Sequence, residues 1–370
     1  MFAMNYGKLI RRILAPAIVL SSLIGAGAVF AQEAGGRIGS GGLCLSASGD
    51  TRLANYCLIN EINAERLTDP RGILTTDGRL KKAGFEEGLG FPGALPRFDT
   101  DLTVTPIFSY SRNVNGGNNS DELTLGAITF ETDPDLLRKA GVLVGAGLQA
   151  SGLYRLGGGD TITGALGFNA SRAPQHGAEV IGQSQQLCYQ NYMGDNTFAN
   201  FCGARSVTRY ELSESRQRSL TAGLTRYFQT APRRYTGLSA QIERVFSGDT
   251  AVTSLGFAAR QKTRAGDEIG LNATFGLPVS GQHVQRFGFQ ASYSTKLNDR
   301  ALTLSAGVQR AYGSQIFGIA REDRGWSLQA SYALTDALSV QVGYRRNDSS
   351  IDYFDERAPV IGVSFEPFRW

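Results

Sequence analysis

The feature that most constrains this chain is a succession of long segments that alternate apolar and polar residues with period two. In RFGFQASYSTKL, Phe287, Phe289, Ala291 and Tyr293 face one way, while Arg286, Gly288, Gln290 and Ser292 face the other. WSLQASYAL repeats the pattern with Trp326, Leu328, Ala330 and Tyr332 against Ser327, Gln329 and Ser331. LSVQVGYRR does so with Leu338, Val340, Val342 and Tyr344 against Gln341, Gly343 and Arg345. Successive side chains of a strand point to opposite sides, so each segment is a strand with one wet and one apolar face. The segments run to about 11–14 residues, where soluble strands average about 5–6, and a tilted strand crosses a membrane in about 9–11. Gln, Ser, Arg and Gly recur on the polar face, and the apolar face often ends in Tyr or Trp near a turn. A wet lumen and a lipid-facing wall with aromatic girdles produce that distribution. The connections APRR, SGDT, RAGD, GQHV, ND and DA are short, and hairpins closed into a ring leave no open edge for hydrocarbon to reject. The expected fold is all-β, an outer-membrane antiparallel β-barrel with a short N-terminal helical extension.

The N-terminus agrees with that destination. Lys8, Arg11 and Arg12 precede an apolar run, and Val29 and Ala31 occupy the small-residue positions before Gln32, which is a secretory signal over residues 1–31. The formal charge is +4; removing three basic residues leaves about +1 for the mature chain, and nothing in it argues for nucleic acid. Beyond residue 31 no stretch is long and apolar enough for a membrane helix. A chain with 46 Gly and 34 Tyr and Phe among 370 residues suits a barrel in the outer membrane of a Gram-negative bacterium. Its expected partners are outer-membrane lipids and the machinery that inserts barrels.

Thirteen candidate strands are legible: 101–112, 122–131, 141–156, 160–172, 205–229, 235–247, 251–263, 267–280, 285–297, 301–312, 324–335, 338–348 and 358–370. Bacterial single-chain barrels use even numbers, so fourteen is expected, with twelve or sixteen open. The shortfall is placed near residues 85–100 or between 101 and 156, or in segment 205–229 as two strands, or in SQIFGIA as a short one. With the C-terminus in the periplasm, 348–357, 313–323 and, if 205–229 is one strand, a long Cys188–Cys202 loop fall outside. Residues 32–100 form an extension, in which 51–69 spaces Leu53, Tyr56, Cys57, Ile59, Ile62 and Leu67 as a short amphipathic helix and a candidate plug. Residues 101–370 form the barrel.

Cys44 and Cys57, and Cys188 and Cys202, lie thirteen and fourteen apart. In an oxidising compartment the closest pairings are two local disulfides. A metal reading is weak, because His176 and His283 complete neither pair, and no cofactor is implied. Both histidines lie in loops and no Gly-x-Ser-x-Gly occurs, so no enzyme is expected. A non-enzymatic transport or export barrel is the main reading, with a porin-like channel, a structural or adhesive surface protein and, behind these, an outer-membrane hydrolase as alternatives. Arg321, Asp323, Arg324, Arg345, Arg346 and Asp348 set opposite charges near the outer ends of neighbouring strands, as an interstrand salt-bridge network or a selectivity patch. Phe368 and Trp370 end the chain on an aromatic strand, the kind of terminus that insertion machinery reads. A bulge near Pro367 would reconcile Phe368 and Trp370 with Val363 and Phe365.

Two stretches carry a resemblance. NVNGGNNSDE, near residue 113, and IFGIAREDRGWSLQASYAL leading into VGYRRNDSSIDYFDERAPVIGVSF are similar to the barrel domain of the surface lipoprotein assembly modifier family. The matching residues are Asn113 and Asn115, Arg321 and Asp323, Asn347 and Ser349, with Arg357 before the closing strand. The resemblance implies a fourteen-stranded barrel that assists the surface export of lipoproteins or other protein cargo. This chain lacks room for that family's helical repeats, since about seventy mature residues precede the barrel and each repeat takes about 34.

Overall fold

The computed structural model describes residues 53, 56, 57, 60 and 97–370, apart from 126, 127, 264, 317, 336, 366, 367 and 370. The signal segment, Cys44 and Trp370 lie outside the described residues. Strand β1 (Arg97–Ser111) rises to the long connection 112–140, which carries the small hairpin β2 (Glu122–Leu125) and β3 (Ile128–Glu131). There follow β4 (Gly141–Gly157), β5 (Asp160–Ala173), β6 (Ala178–Gly194), β7 (Thr197–Arg209), β8 (Glu214–Ala231) and β9 (Arg234–Ser247). The far wall is β10 (Thr250–Lys262), β11 (Glu268–Gly276), β12 (Val284–Leu297), β13 (Arg300–Ile316), β14 (Ile319–Ala333), β15 (Leu338–Ser349), β16 (Glu356–Phe365) and β17 (Phe368–Arg369).

Each wall strand pairs antiparallel with its sequence neighbour, and β16 and β17 both pair with β1, which closes the ring. Ile107 lies opposite Ser364 but Val104 opposite Phe368, so three steps along β1 match four along the end of the chain. That extra residue is a bulge, and it makes β16 and β17 one closing strand. The barrel has fourteen strands.

Fourteen is the count expected from the sequence, but the segments that make it differ from that reading at three places. Segment 122–131 is the small hairpin in a loop, its alternation too short to cross a membrane. Segment 205–229 is parts of two strands, β7 and β8, with a turn at 210–213. Strand β6 was missing, because AEVIGQSQQLCYQNYMG sets Gln183 and Gln185 on the same face as Leu187 and Tyr189 and so shows no clean alternation. SQIFGIA is not a separate strand; it is the hairpin end joining β13 to β14.

The Cys188–Cys202 segment is not a long outer loop. The two cysteines lie directly opposite on β6 and β7 and form a disulfide, six residues from a tight turn. Asp195 and Asn196 in that turn have φ of 46° and 54°, the left-handed pair that matches the twist of a two-residue hairpin. Similar tight turns at 158–159, 232–233 and 298–299 share this end of the barrel, whereas the long connections 112–140, 277–283 and 350–355 share the other. Long connections mark the extracellular end, so the disulfide belongs to the periplasmic end.

The faces separate as the period-two pattern requires. Leu166, Leu187, Phe201, Leu220, Phe257, Leu328 and Ile361 are exposed on the outer wall and form the lipid-facing band. The lumen side of the same strands carries small polar residues, among them Thr105, Gln149, Thr163, Ser184, Thr221, Ser239, Asn272, Ser305 and Gln341.

Candidate functional site

Both ends of the lumen are narrowed by the chain itself. At the periplasmic end, Leu53, Tyr56, Cys57 and Asn60 are helical, and the Asn60 side chain donates to the Tyr56 carbonyl at 2.7 Å. Leu53 and Cys57 are buried against the inward-facing Phe198, Tyr227 and Tyr235, with Tyr56 and Tyr192 packed on the same cluster. Tyr56 meets the Tyr235 ring edge-on at 5.9 Å. An aromatic seat on β7, β8 and β9 thus holds a helical segment inside the barrel. Cys57 is disulfide-bonded.

At the extracellular end, the connection 112–140 folds inward as a lid. Val114 is fully buried among Ala173, Ala178 and Leu143 at the tops of β5, β6 and β4. Asn115 is buried; its side chain donates to the Leu137 carbonyl at 2.8 Å and accepts from the Lys139 N–H at 2.8 Å, while its carbonyl accepts from Leu212 N–H. Asn113 closes the same turn on Gly117, accepting from its N–H at 2.9 Å and donating to its carbonyl at 2.8 Å. Gly116 has φ +73°, and a Cβ there would stand 2.6 Å from Tyr210 Cβ. Only glycine fits so close an approach with that backbone. On its other flank the lid meets the β15–β16 connection, where β2 lies against residues 352–354. The lid therefore reaches from the β7–β8 turn across to β15 and β16.

Beneath the lid sits a basic cluster. Burial, then the neighbouring Arg112, holds the Arg138 guanidinium below its ordinary range, with Glu356 acting the other way. Arg345 pairs with Glu356 at 2.9 Å. Among the described residues, Arg112 Nη1 and Arg345 Nε are buried without a hydrogen-bond partner. Three arginines thus gather near one carboxylate at the inner mouth, which Arg345 holds.

The structure divides the charged residues singled out in the sequence between the two faces. Inside, Arg321 clamps Asp323, its Nε 3.0 Å from Oδ1, with the guanidinium stacked 3.5 Å over the Phe354 ring centroid. His283 Nε2 lies 3.0 Å from Asp323 Oδ2, and Ser349 Oγ donates to Oδ1 at 2.6 Å. Asn347 donates to the Phe354 carbonyl at 3.2 Å, and the Ser349 N–H donates to Asp355 at 2.6 Å. Asp323 stands between His283 and Ser349, so this is not the serine–histidine–acid relay of a hydrolase, in which the imidazole must touch the hydroxyl. It ties β14 to β15, to the 277–283 connection and to the 350–355 connection. Outside, Arg324 pairs with Glu322 and Arg346 with Asp348 at 2.8 Å, and Arg357 lies opposite Arg346. The tie formed by His283 was not read from the sequence, because His283 is forty residues from its partner. His176 caps the Ala140 carbonyl at 2.9 Å.

A closed fourteen-strand antiparallel barrel with a lipid-facing band, a polar lumen and its long loops at one end defines the class: an outer-membrane β-barrel protein of a Gram-negative bacterium. No family model matches the chain, and no curated protein does. Among solved structures it is similar to OccAB3 of Acinetobacter baumannii, at 7% identity and TM-score 0.39 over 74% of this chain and 99% of that one. It is similar to OprD of Pseudomonas aeruginosa, at 14% identity and TM-score 0.35 over 76% and 96%. A BenF-like porin from Pseudomonas fluorescens shows 9% identity and TM-score 0.38 over 76% and 100%. The resemblance to the surface lipoprotein assembly modifier family is corrected: no family model matches the chain, and the motif residues that carried it work here as local ties of the lid and of the β15–β16 connection.

Proposed function

We propose that this protein is a porin-like channel through which small polar solutes, anions preferentially, cross the outer membrane. The observation that carries the reading is the lumen: a lining of Ser, Thr, Gln and Asn side chains below a mouth where Arg112, Arg138 and Arg345 gather near Glu356. Small polar side chains leave room for water and hold no solute tightly. A surplus of positive charge at a low-dielectric constriction raises the local concentration of anions. The lid and the helical segment at the two ends would set how wide the path is at any moment.

Purified protein in planar bilayers should give single-channel steps with anion-over-cation preference. Replacing Arg138→Gln and Arg112→Gln should move that preference toward parity while leaving the folded, heat-modifiable band intact. A folded wild-type protein with no conductance, even after the lid is loosened by Asn115→Ala, would defeat the channel reading.

A further inference from the structure

On the outer wall, we infer a binding site for a phosphorylated glycolipid of the outer leaflet, formed by arginines on β7, β8 and β9 above an apolar stretch of the wall. Arg205 on β7 and Arg218 on β8 lie directly opposite each other, both exposed on the lipid-facing side. Phe201, Leu220 and Leu224 share that face with them. Arg216 and Arg244 stand exposed on the same wall, Arg244 over the Phe246 ring at 5.4 Å. Glu214 holds Arg209 and Arg216, but among the described residues no acid pairs with Arg205 or Arg218.

Like charges directly opposite on one sheet face destabilise it, and the same barrel shows how that is relieved elsewhere. Arg310 and Arg324 also face each other on the outer wall, and there Glu322 bridges both, at 2.9 and 2.8 Å. Among the described residues the Arg205–Arg218 pair has no such bridge, which leaves it to an anion from outside to supply one.

The height of the pair says which anion. On β8 the outward residues between Arg218 and Arg226 are Leu220, Ala222 and Leu224. Eight steps along a strand tilted by about 40° rise about 20 Å, close to the ~25 Å apolar band of an outer-membrane barrel. Arg218 therefore marks the upper interface, where the phosphates of outer-leaflet lipid lie, with its stem running along the apolar wall. Directly below it Phe201, Leu220 and Leu224 carry the apolar wall against which acyl chains lie. Phosphate clamp above and apolar wall below match the two ends of one amphiphile.

The test uses full-length protein in detergent and native mass spectrometry with bis-phosphorylated lipid A, its dephosphorylated form, and inorganic phosphate. Wild type should retain one phosphorylated lipid through delipidating washes and should not retain the dephosphorylated form. The double variant Arg205→Gln, Arg218→Gln should weaken retention about thirtyfold, since each interfacial charge contributes about 1 kcal/mol. Arg324→Gln, at the pair that Glu322 already bridges, should not weaken it. If the double variant does not assemble, Arg205→Gln alone should weaken binding and Arg218→Lys should keep it. Equal retention by the double variant, equal binding of the dephosphorylated lipid, or displacement by millimolar inorganic phosphate would overturn the assignment.

Discussion

Asp323 is the residue whose environment decides most about its own mutation. Its carboxylate accepts from Arg321 and Ser349 and lies against His283, with the Arg321 and Asp323 side chains only 8% and 9% exposed. Removing one partner of a buried pair leaves the other charge uncompensated, which costs about 3–5 kcal/mol. Asp323→Asn should therefore lower the temperature at which the folded band disappears on gels, and should speed hydrogen exchange in the 350–355 connection. Asp348→Asn breaks a pair that sits in the open on the outer wall, with Asp348 44% exposed. It should leave the same midpoint unchanged, because exposed pairs contribute little. Equal effects from the two variants would show that the inner tie is not desolvated. The sequence placed both acids in one network; which face each occupied followed from strand parity, and how dry that face is did not.

At the level of elements, the lid is the part most open to test. Asn115 saturates its side chain on the Leu137 carbonyl and the Lys139 N–H, so truncating it leaves buried groups unpaired, at about 1–3 kcal/mol each. Asn115→Ala should make the 112–140 connection sensitive to protease added to intact cells, and should raise single-channel conductance. Gly116→Ala should give the same phenotype by a different route, since its φ of +73° and the nearby Tyr210 exclude a Cβ. Full resistance to protease in both variants would show that the lid is held elsewhere. The turn-forming residues of NVNGGNN are visible in the sequence. That they turn the loop inward is a consequence of Val114 finding Ala173 and Ala178, contacts more than fifty residues away. The helical spacing of Leu53, Tyr56 and Cys57 was likewise legible, while its aromatic seat on three different strands was not.

For the whole molecule, closure is the decisive event. Strand β1 is paired along its upper half by β16 and lower down by β17. Deleting residues 368–370 would strip Thr103 and Val104 of their partners and leave backbone groups facing hydrocarbon, where each unsatisfied group costs several kcal/mol. The truncated chain should show a sharply reduced heat-modifiable fraction in outer membranes. Replacing Trp370→Ser leaves the backbone pairing in place, so it separates loss of pairing from loss of a terminal aromatic that is read during insertion. Normal assembly of Trp370→Ser would make the aromatic dispensable; accumulation of unfolded chain in the periplasm would make it a signal.

The amino-acid sequence by itself determined the destination and the material of this protein. Period-two alternation over long segments, with glycine and aromatics in place of a membrane helix, has no other stable arrangement in a bilayer than a closed barrel. The expected fourteen strands are found, but the assignment of segments rested on that same periodicity and missed where it fades or misleads: in β6, whose outward face carries Gln183 and Gln185, and at 122–131, where a loop hairpin alternates as a wall strand does. Only the tertiary structure decided what fills the ring. The aromatic seat of the helix, the Asp323 tie, the three arginines around Glu356 and the opposed Arg205 and Arg218 each join residues from separate hairpins. Alternation fixes which side of its own strand a residue faces. Register and closure fix what it meets there, and those depend on every hairpin at once.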